Sequence, residues 1–143
     1  MKQSNPSKSK LRRAARFIPA VAIMVVIFTL SSNTGDDVDE ILPFFQRFFP
    51  AMSSFDWGHY VSYFVLAAAI DFGIGAKADR LPYKALIVLL CGLYGVTDEY
   101  HQSFIPGRMP DIMDIRNDMI GALVWTLIIA IPPLKRRWRK IAV

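Results

Sequence analysis

AARFIPAVAIMVVIFTLSS, residues 14–32, carries one charge, Arg16, ahead of a nearly continuous run of Ala, Val, Ile, Met and Phe. A helix crossing about 30 Å of hydrocarbon needs about 20 mostly apolar residues, because each residue adds about 1.5 Å and no water remains to satisfy exposed backbone groups. Residues 14–31 meet that requirement, and three further windows come close: Trp57 to Gly75, Tyr83 to Tyr100 and Ile112 to Leu134. None shows the alternation of a membrane β-barrel strand, so all four read as helices. The predicted fold class is all-α: a polytopic membrane protein with four transmembrane helices and a short interfacial helix in the first outer loop.

The rest of the chain agrees with that reading. At 143 residues there is room for one domain, and 53% apolar residues with a mean hydropathy of +0.31 point away from an ordinary soluble fold. The expected organisation is a basic tail over residues 1–13, a membrane domain over 14–134 and a second basic tail over 135–143. Met1 to Lys10 is polar and lysine-bearing, and is expected to lack fixed structure. Cys91 is the only cysteine, which excludes an intrachain disulfide and a cysteine-rich zinc site and leaves it as a small buried apolar residue.

Charge sets the orientation. Of the 17 basic residues, 14 precede the first window, follow the last or flank the second connection; only Arg47, Arg108 and Arg116 belong to the first and third connections. Cytoplasmic loops carry the excess of Lys and Arg, so both termini and the middle connection are expected inside a cytoplasmic membrane. The acids agree, since 10 of the 12 lie in or beside the first and third connections. A basic stretch ahead of VAIMVVIF also has the look of a secretory signal, but no small-x-small site ends the run, and the segment is read as a retained span. The basic tails read as orientation signals on anionic lipid and not as a nucleic-acid surface.

The third connection and its flanks, Thr97 to Asp118, crowd five carboxylates, two arginines and a histidine between two apolar runs. Helical spacing puts Asp98 beside His101 and Gln102, and Glu99 beside Gln102; Asp114, Asn117 and Gly121 make one stripe at the start of the fourth helix, where Gly121 permits close helix approach. Asp56, His59 and Tyr63 repeat that spacing at the start of the second. Ionisable groups near hydrocarbon cost roughly 2.5–3.5 kcal/mol each at the midplane on insertion scales, so they are expected to face one another. The predicted ligand-binding set is Asp56, His59, Asp98, Glu99, Gln102, Arg108, Asp114 and Asn117, around an outward-open polar pocket. Pro106-Gly107 suits the centre of a type II turn that folds Arg108 back over the carboxylates.

The remaining polar residues read more plainly. ILPFFQRFFPAM, residues 41–52, is expected to form a short interfacial helix opening near Pro43, with Phe44, Phe45, Phe48 and Phe49 on one side, either lidding the pocket or only capping the bundle. Tyr63 reads as packing with its hydroxyl satisfied locally, His101 as a solvated loop histidine, and Asp118 with Arg116 as an outer-rim pair worth little. Ser31 and Ser32 read as terminators of the first span, and Asp71 as a residue near the cytoplasmic interface.

FTLSSN (residues 28–33), DWGHYVSYFVL (56–66) and DEYHQSFIPGRMPDIMDIRNDMIGAL (98–123) together resemble the VanZ-like family of bacterial membrane proteins. The family's D-E-x-x-Q, G-R and D-x-x-N-x-x-x-G elements fall on Asp98, Glu99, Gln102, Gly107, Arg108, Asp114, Asn117 and Gly121. One departure is Trp57, where relatives often carry Lys after the Asp. The resemblance implies a small polytopic protein of the bacterial cytoplasmic membrane, in a family named for a member linked to low-level resistance to the glycopeptide teicoplanin. It implies no reaction.

Three functions are compatible with these residues. The first is a protein whose outward pocket binds or modulates a lipid-linked or peptidoglycan-related envelope ligand, with Arg108 meeting phosphate or carboxylate and Gln102 and Asn117 supplying hydrogen bonds. The second is a membrane hydrolase or transferase, with Glu99 or Asp98 as general base, His59 moving a proton and Arg108 stabilising negative charge. His59, His101 and the carboxylates suit zinc or manganese chemically, but HExxH spacing is missing, so no metal ligand is assigned and no cofactor is named. The third is a purely structural network pinning helix register. Expected partners are membrane lipids and the envelope ligand, with no nucleic acid.

Overall fold

The structure, a computed structural model, describes residues 6–48, 50 and 57–142. Its helices are α1 (Pro6–Ala15), α2 (Ile18–Ser31), α3 (Gly35–Gln46), α4 (Trp57–Ile74), α5 (Leu81–Gln102), α6 (Ile112–Ile128) and α7 (Pro132–Ala142), with a 3-10 turn at Gly75–Asp79. No strand occurs among the described residues.

Prolines and caps set the boundaries. Pro19 and Pro82 sit in the first turns of α2 and α5, where a missing N–H breaks no helical bond. Gly75 ends α4 with φ +71°, a conformation that side chains disfavour, and Arg16 Nη2 donates to the Phe72 carbonyl at 3.0 Å in the last turn. Thr34 starts α3: its hydroxyl and its N–H donate to Asp37 Oδ2 at 2.6 and 3.0 Å, while the Asp37 N–H donates back to Thr34 Oγ1 at 3.2 Å. This reciprocal cap satisfies orphan donors of the first turn. The two bonds from Thr34 hold the Asp37 carboxyl below the usual carboxylate range.

Within the bundle, α4 packs against α2 and α6, and α6 packs against α5. Tyr63, Leu66, Ala67, Ile87, Cys91 and Ala122 are fully buried between them. A Cβ on Gly121 would lie 3.0 Å from Tyr60 Cα and nearer still to its carbonyl oxygen, so glycine is what lets α6 meet the α4 backbone. The outward faces are also apolar: Val21, Val25 and Val26 on α2 and Leu89, Leu93 and Val96 on α5 are all exposed. Only 17% of the apolar window within Leu11–Ser31 is buried within the chain. Large exposed apolar faces on long helices require a hydrocarbon solvent. Leu11–Ser31, Trp57–Asp79 and Leu81–Gln102 are long and apolar enough to cross a membrane, and α6 with α7 makes a fourth candidate whose two parts meet at 99°. The protein is therefore a polytopic helical membrane protein with three to four such helices.

Three local expectations are corrected. The fourth window, expected to run unbroken from Ile112 to Leu134, stops at Ile128, because Pro132 and Pro133 lack the N–H groups that would continue the ladder; they open α7 in a new direction. The interfacial helix begins at Gly35, not near Pro43, because Thr34 and Asp37 launch it eight residues earlier and Pro43 falls inside it. Phe44 and Phe48 meet edge to face at 5.6 Å, whereas Phe49 lies outside the described residues. Residues 6–10, expected to lack structure, belong to α1.

At the α4–α5 end, α7 folds back on the bundle. Asp71 of α4 is fully buried and accepts from Trp138 Nε1 at 2.7 Å and from both terminal nitrogens of Arg139. Arg139 Nε and Nη2 also donate to Asp79 Oδ1 at 3.2 and 3.0 Å. Asp71 is thus a fully enclosed anchor for α7.

Candidate functional site

The opposite end of the bundle brings together the first turn of α4, the last turn of α5 and the first turns of α6. Asp111 caps α6, its carboxylate accepting from the Met113 N–H at 2.8 Å, and Glu99 Oε2 accepts from the Asp111 N–H at 2.8 Å. Glu99 therefore ties α5 to the start of α6. The connecting turn has the predicted type II form: the Arg108 N–H donates to the Ile105 carbonyl at 3.1 Å around Pro106 and Gly107, and Gly107 has φ +73°. The Pro106 carbonyl in turn accepts from the Gly35 N–H at 3.1 Å, docking the turn onto α3.

That turn does send Arg108 back over α5, but onto an amide and not a carboxylate. Nε and Nη2 of Arg108 donate to Gln102 Oε1 at 3.1 and 2.7 Å, and Gln102 Nε2 donates to Glu99 Oε1 at 3.3 Å. Arg108 forms no salt bridge among the described residues, and its Nη1 makes no hydrogen bond among them. The expected neutralisation of the acids by Arg108 is replaced by an amide relay from guanidinium to Glu99.

His59 is the centre of the second cluster. Its Nδ1 lies 2.9 Å from Asp118 Oδ1 and its Nε2 lies 3.6 Å from Asp114 Oδ2. Asn117 is fully engaged: its Oδ1 accepts from the Tyr60 hydroxyl at 2.7 Å and from Arg116 Nη2 at 3.1 Å, and its Nδ2 donates to Asp114 Oδ1 at 3.4 Å. Asp98 is buried at 4% exposure, and its Oδ1 has no hydrogen-bond partner among the described residues; the same holds for Oδ2 of Asp118.

A cavity of about 520 Å³ opens beside this cluster between α2, α3 and α4. Ile27, Leu30, Val38, Ile41, Trp57 and Val61 make its wall, and Ser31, Ser62, His59, Asp98 and Arg108 supply its polar groups. Of the predicted set, His59, Asp98 and Arg108 thus line the cavity. Glu99, Gln102, Asp114 and Asn117 are not among its lining residues. Asp56 lies outside the described residues.

Three expected placements, those of Asp118, Tyr63 and His101, are corrected. Asp118, taken for a rim partner of Arg116, is fully buried against His59, while Arg116 turns to Asn117. Its signal was available: Asp118 follows Asp114 by four and precedes Gly121 by three, and Gly95 in α5 leaves room where a Cβ would collide with the Asp118 carboxylate. Tyr60, which had no sequence signal, clamps Asn117. Tyr63 is fully buried, but its hydroxyl finds no partner among the described residues, contrary to local satisfaction. His101 belongs to the last turn of α5, where it stacks on Phe28 with centroids 4.1 Å apart and meets Ser32 Oγ at 3.0 Å through Nε2. It is therefore not a solvated loop histidine. Ser32 does terminate α2, with its hydroxyl donating to the Phe28 carbonyl at 2.7 Å.

The sequence model of the VanZ/LLP1 family covers residues 16–133, more than half of the chain and including every residue of both clusters. No curated protein and no solved structure matches the chain.

Proposed function

The chain belongs to the VanZ/LLP1 family, and from that premise we propose that it sits in the bacterial cytoplasmic membrane with both termini inside and binds an amphiphilic envelope ligand at its outward end. The orientation rests on the basic residues, 14 of which fall at the termini and the α4–α5 connection against 3 elsewhere. The ligand class is a lipid-linked or peptidoglycan-related molecule carrying an anionic head. The observation that carries this reading is the shape and chemistry of the cavity: an apolar wall from α2, α3 and α4 that suits a hydrocarbon chain, with Arg108, His59 and Asp98 at one side for a polar head. Arg108 keeps one guanidinium nitrogen without a partner among the described residues, which suits phosphate or carboxylate. Binding such a ligand would link the protein to envelope phenotypes, including the glycopeptide (teicoplanin) tolerance that the family resemblance implies.

The test uses full-length protein in lipid nanodiscs with a polyprenyl-phosphate-linked probe. Arg108→Ala and the cavity-filling Ser62→Trp are expected to weaken binding at least tenfold while inserting and accumulating like wild type. Unchanged binding in both would sink the reading. A second reading, a hydrolase or transferase acting on the same ligand class, is favoured by one observation: His59 is held through Nδ1 by buried Asp118, as an oriented base would be. Product formation from the same probe, lost in His59→Gln, would establish it.

A further inference from the structure

The imbalance of charge at the α5–α6 end leads beyond ligand binding. Asp98, Glu99 and Asp118 are 4%, 4% and 0% exposed, and no Lys or Arg forms a salt bridge with any of them among the described residues. Arg108, the basic side chain bonded beside them, is spent on the amide of Gln102. An uncompensated buried charge costs several kcal/mol even after relaxation, so three such groups sharing one histidine either keep a proton or take up a counter-charge. Ligand atoms of His59, Asp98 and Glu99 lie within 4.8 Å of one another. The second observation is Asp98 Oδ1, buried and without a hydrogen-bond partner among the described residues.

We propose that His59, Asp98 and Glu99 bind a divalent cation of the Mn²⁺–Zn²⁺ class, with Asp118 as the carboxylate that orients His59. Imidazole and carboxylate together suit zinc or manganese better than magnesium or calcium, which take oxygen alone. Ligands about 2.0–2.2 Å from an ion stand roughly 3–3.5 Å apart, so modest side-chain rotation closes the group around it. The His59–Asp118 contact orients the imidazole: with Nδ1–H donating to the Asp118 carboxylate, the neutral ring keeps its Nε2 lone pair for the metal. Nε2 already stands 3.6 Å from Asp114, which can complete the set. The hydrogen bonds that Glu99 accepts from Gln102 and Asp111 orient its carboxylate and leave lone pairs on both oxygens. His59 and Asp98 also line the cavity, so an ion there presents an open position to whatever the cavity holds. The inference goes beyond the proposed ligand binding and does not depend on it.

The experiment is metal titration of full-length, chelator-stripped protein in nanodiscs, with bound Mn²⁺ read by the loss of the free-ion electron paramagnetic resonance signal and Zn²⁺ read by competition. One saturable site per chain is expected. The near-isosteric Asp98→Asn and Glu99→Gln should each weaken it at least tenfold, and Asp118→Asn about 10–100-fold, while His101→Ala, outside the ligand group, should leave it unchanged. Helical circular dichroism and monodisperse elution identify any variant that fails to fold, and wild-type protein decides the matter alone. Absence of saturable binding up to millimolar Mn²⁺ or Zn²⁺, or equal affinity in wild type, Asp98→Asn and Glu99→Gln, overturns the proposal. Probe binding by stripped protein separates this failure from that of the preceding section: a probe that binds without metal upholds that reading whatever the titration shows.

Discussion

Replacing Arg139 by Met removes the counter-charge of Asp71 while keeping most of the side chain's apolar bulk. Asp71 is fully enclosed, and the Arg139 side chain is itself only 12% exposed, so the pair is buried and not a surface bridge. In the variant Asp71 keeps one donor, Trp138 Nε1 at 2.7 Å, and loses the two-pronged guanidinium. Breaking a buried pair from one side typically costs about 3–5 kcal/mol, because the remaining charge stays desolvated. At about 1.4 kcal/mol per decade, the unfolded share should rise roughly a hundredfold or more. Reversible unfolding in mixed micelles, followed by circular dichroism, measures the change. The double variant Asp71→Leu/Arg139→Met should recover most of the loss, since a buried pair replaced by apolar groups is often neutral or stabilising. Arg139→Met within about 0.5 kcal/mol of wild type, the range of ordinary surface substitutions, would refute the reasoning.

Two further outcomes follow from the same geometry. Gly121→Ala sets a Cβ 3.0 Å from Tyr60 Cα, which should separate α6 from α4 and cost about 1–3 kcal/mol in the same unfolding assay; an effect below the lower end would mean that the helices do not meet there. The Asp37 carboxyl, held below its usual value of 3.8 by Thr34, makes its contribution to α3 above the unfolded-state value and loses it as pH falls through the lower folded one. Thr34→Val should therefore move the Asp37 midpoint upward in a carbon-detected NMR titration, and an unmoved midpoint would rule out the cap.

Much of this was legible in the residues. The apolar windows gave the helical type of the long segments and the position of three of them, Pro106-Gly107 gave the turn, and the 3/4 spacing of Asp98, Gln102, Asp114 and Asn117 put their stripes at helix ends that the bundle brings together. What failed was pairing. Spacing along one helix says which residues share a face, but the choice of Gln102 over a carboxylate for Arg108, or of His59 over Arg116 for Asp118, depends on helix rotation set by long-range packing at Gly95 and Gly121. The length of α3 was misread for a different reason: the local cap at Thr34 and Asp37 outweighed the expectation that Pro43 marks a helix start.

The two ends of the bundle handle buried acids in opposite ways, and the contrast bears on function. At one end Asp71 is met by a forked guanidinium and an indole N–H, all from the chain itself, and the result is a closed latch between α4 and α7. That is how register can be fixed with buried charge: each acceptor is answered. At the other end Asp98 and Asp118 each keep an oxygen unanswered among the described residues, and Arg108 bonds an amide. A network selected only to pin helices would gain from letting Arg108 meet an acid, since a forked guanidinium–carboxylate pair adds the neutralisation of charge that a neutral amide does not supply. The chain instead holds Arg108 and Asp98 apart on the lining of one cavity, with His59 beside Asp98. Unanswered acceptors of that kind carry a standing cost unless they hold a proton, and under the proposals above an ion or a ligand head relieves it at the α5–α6 end.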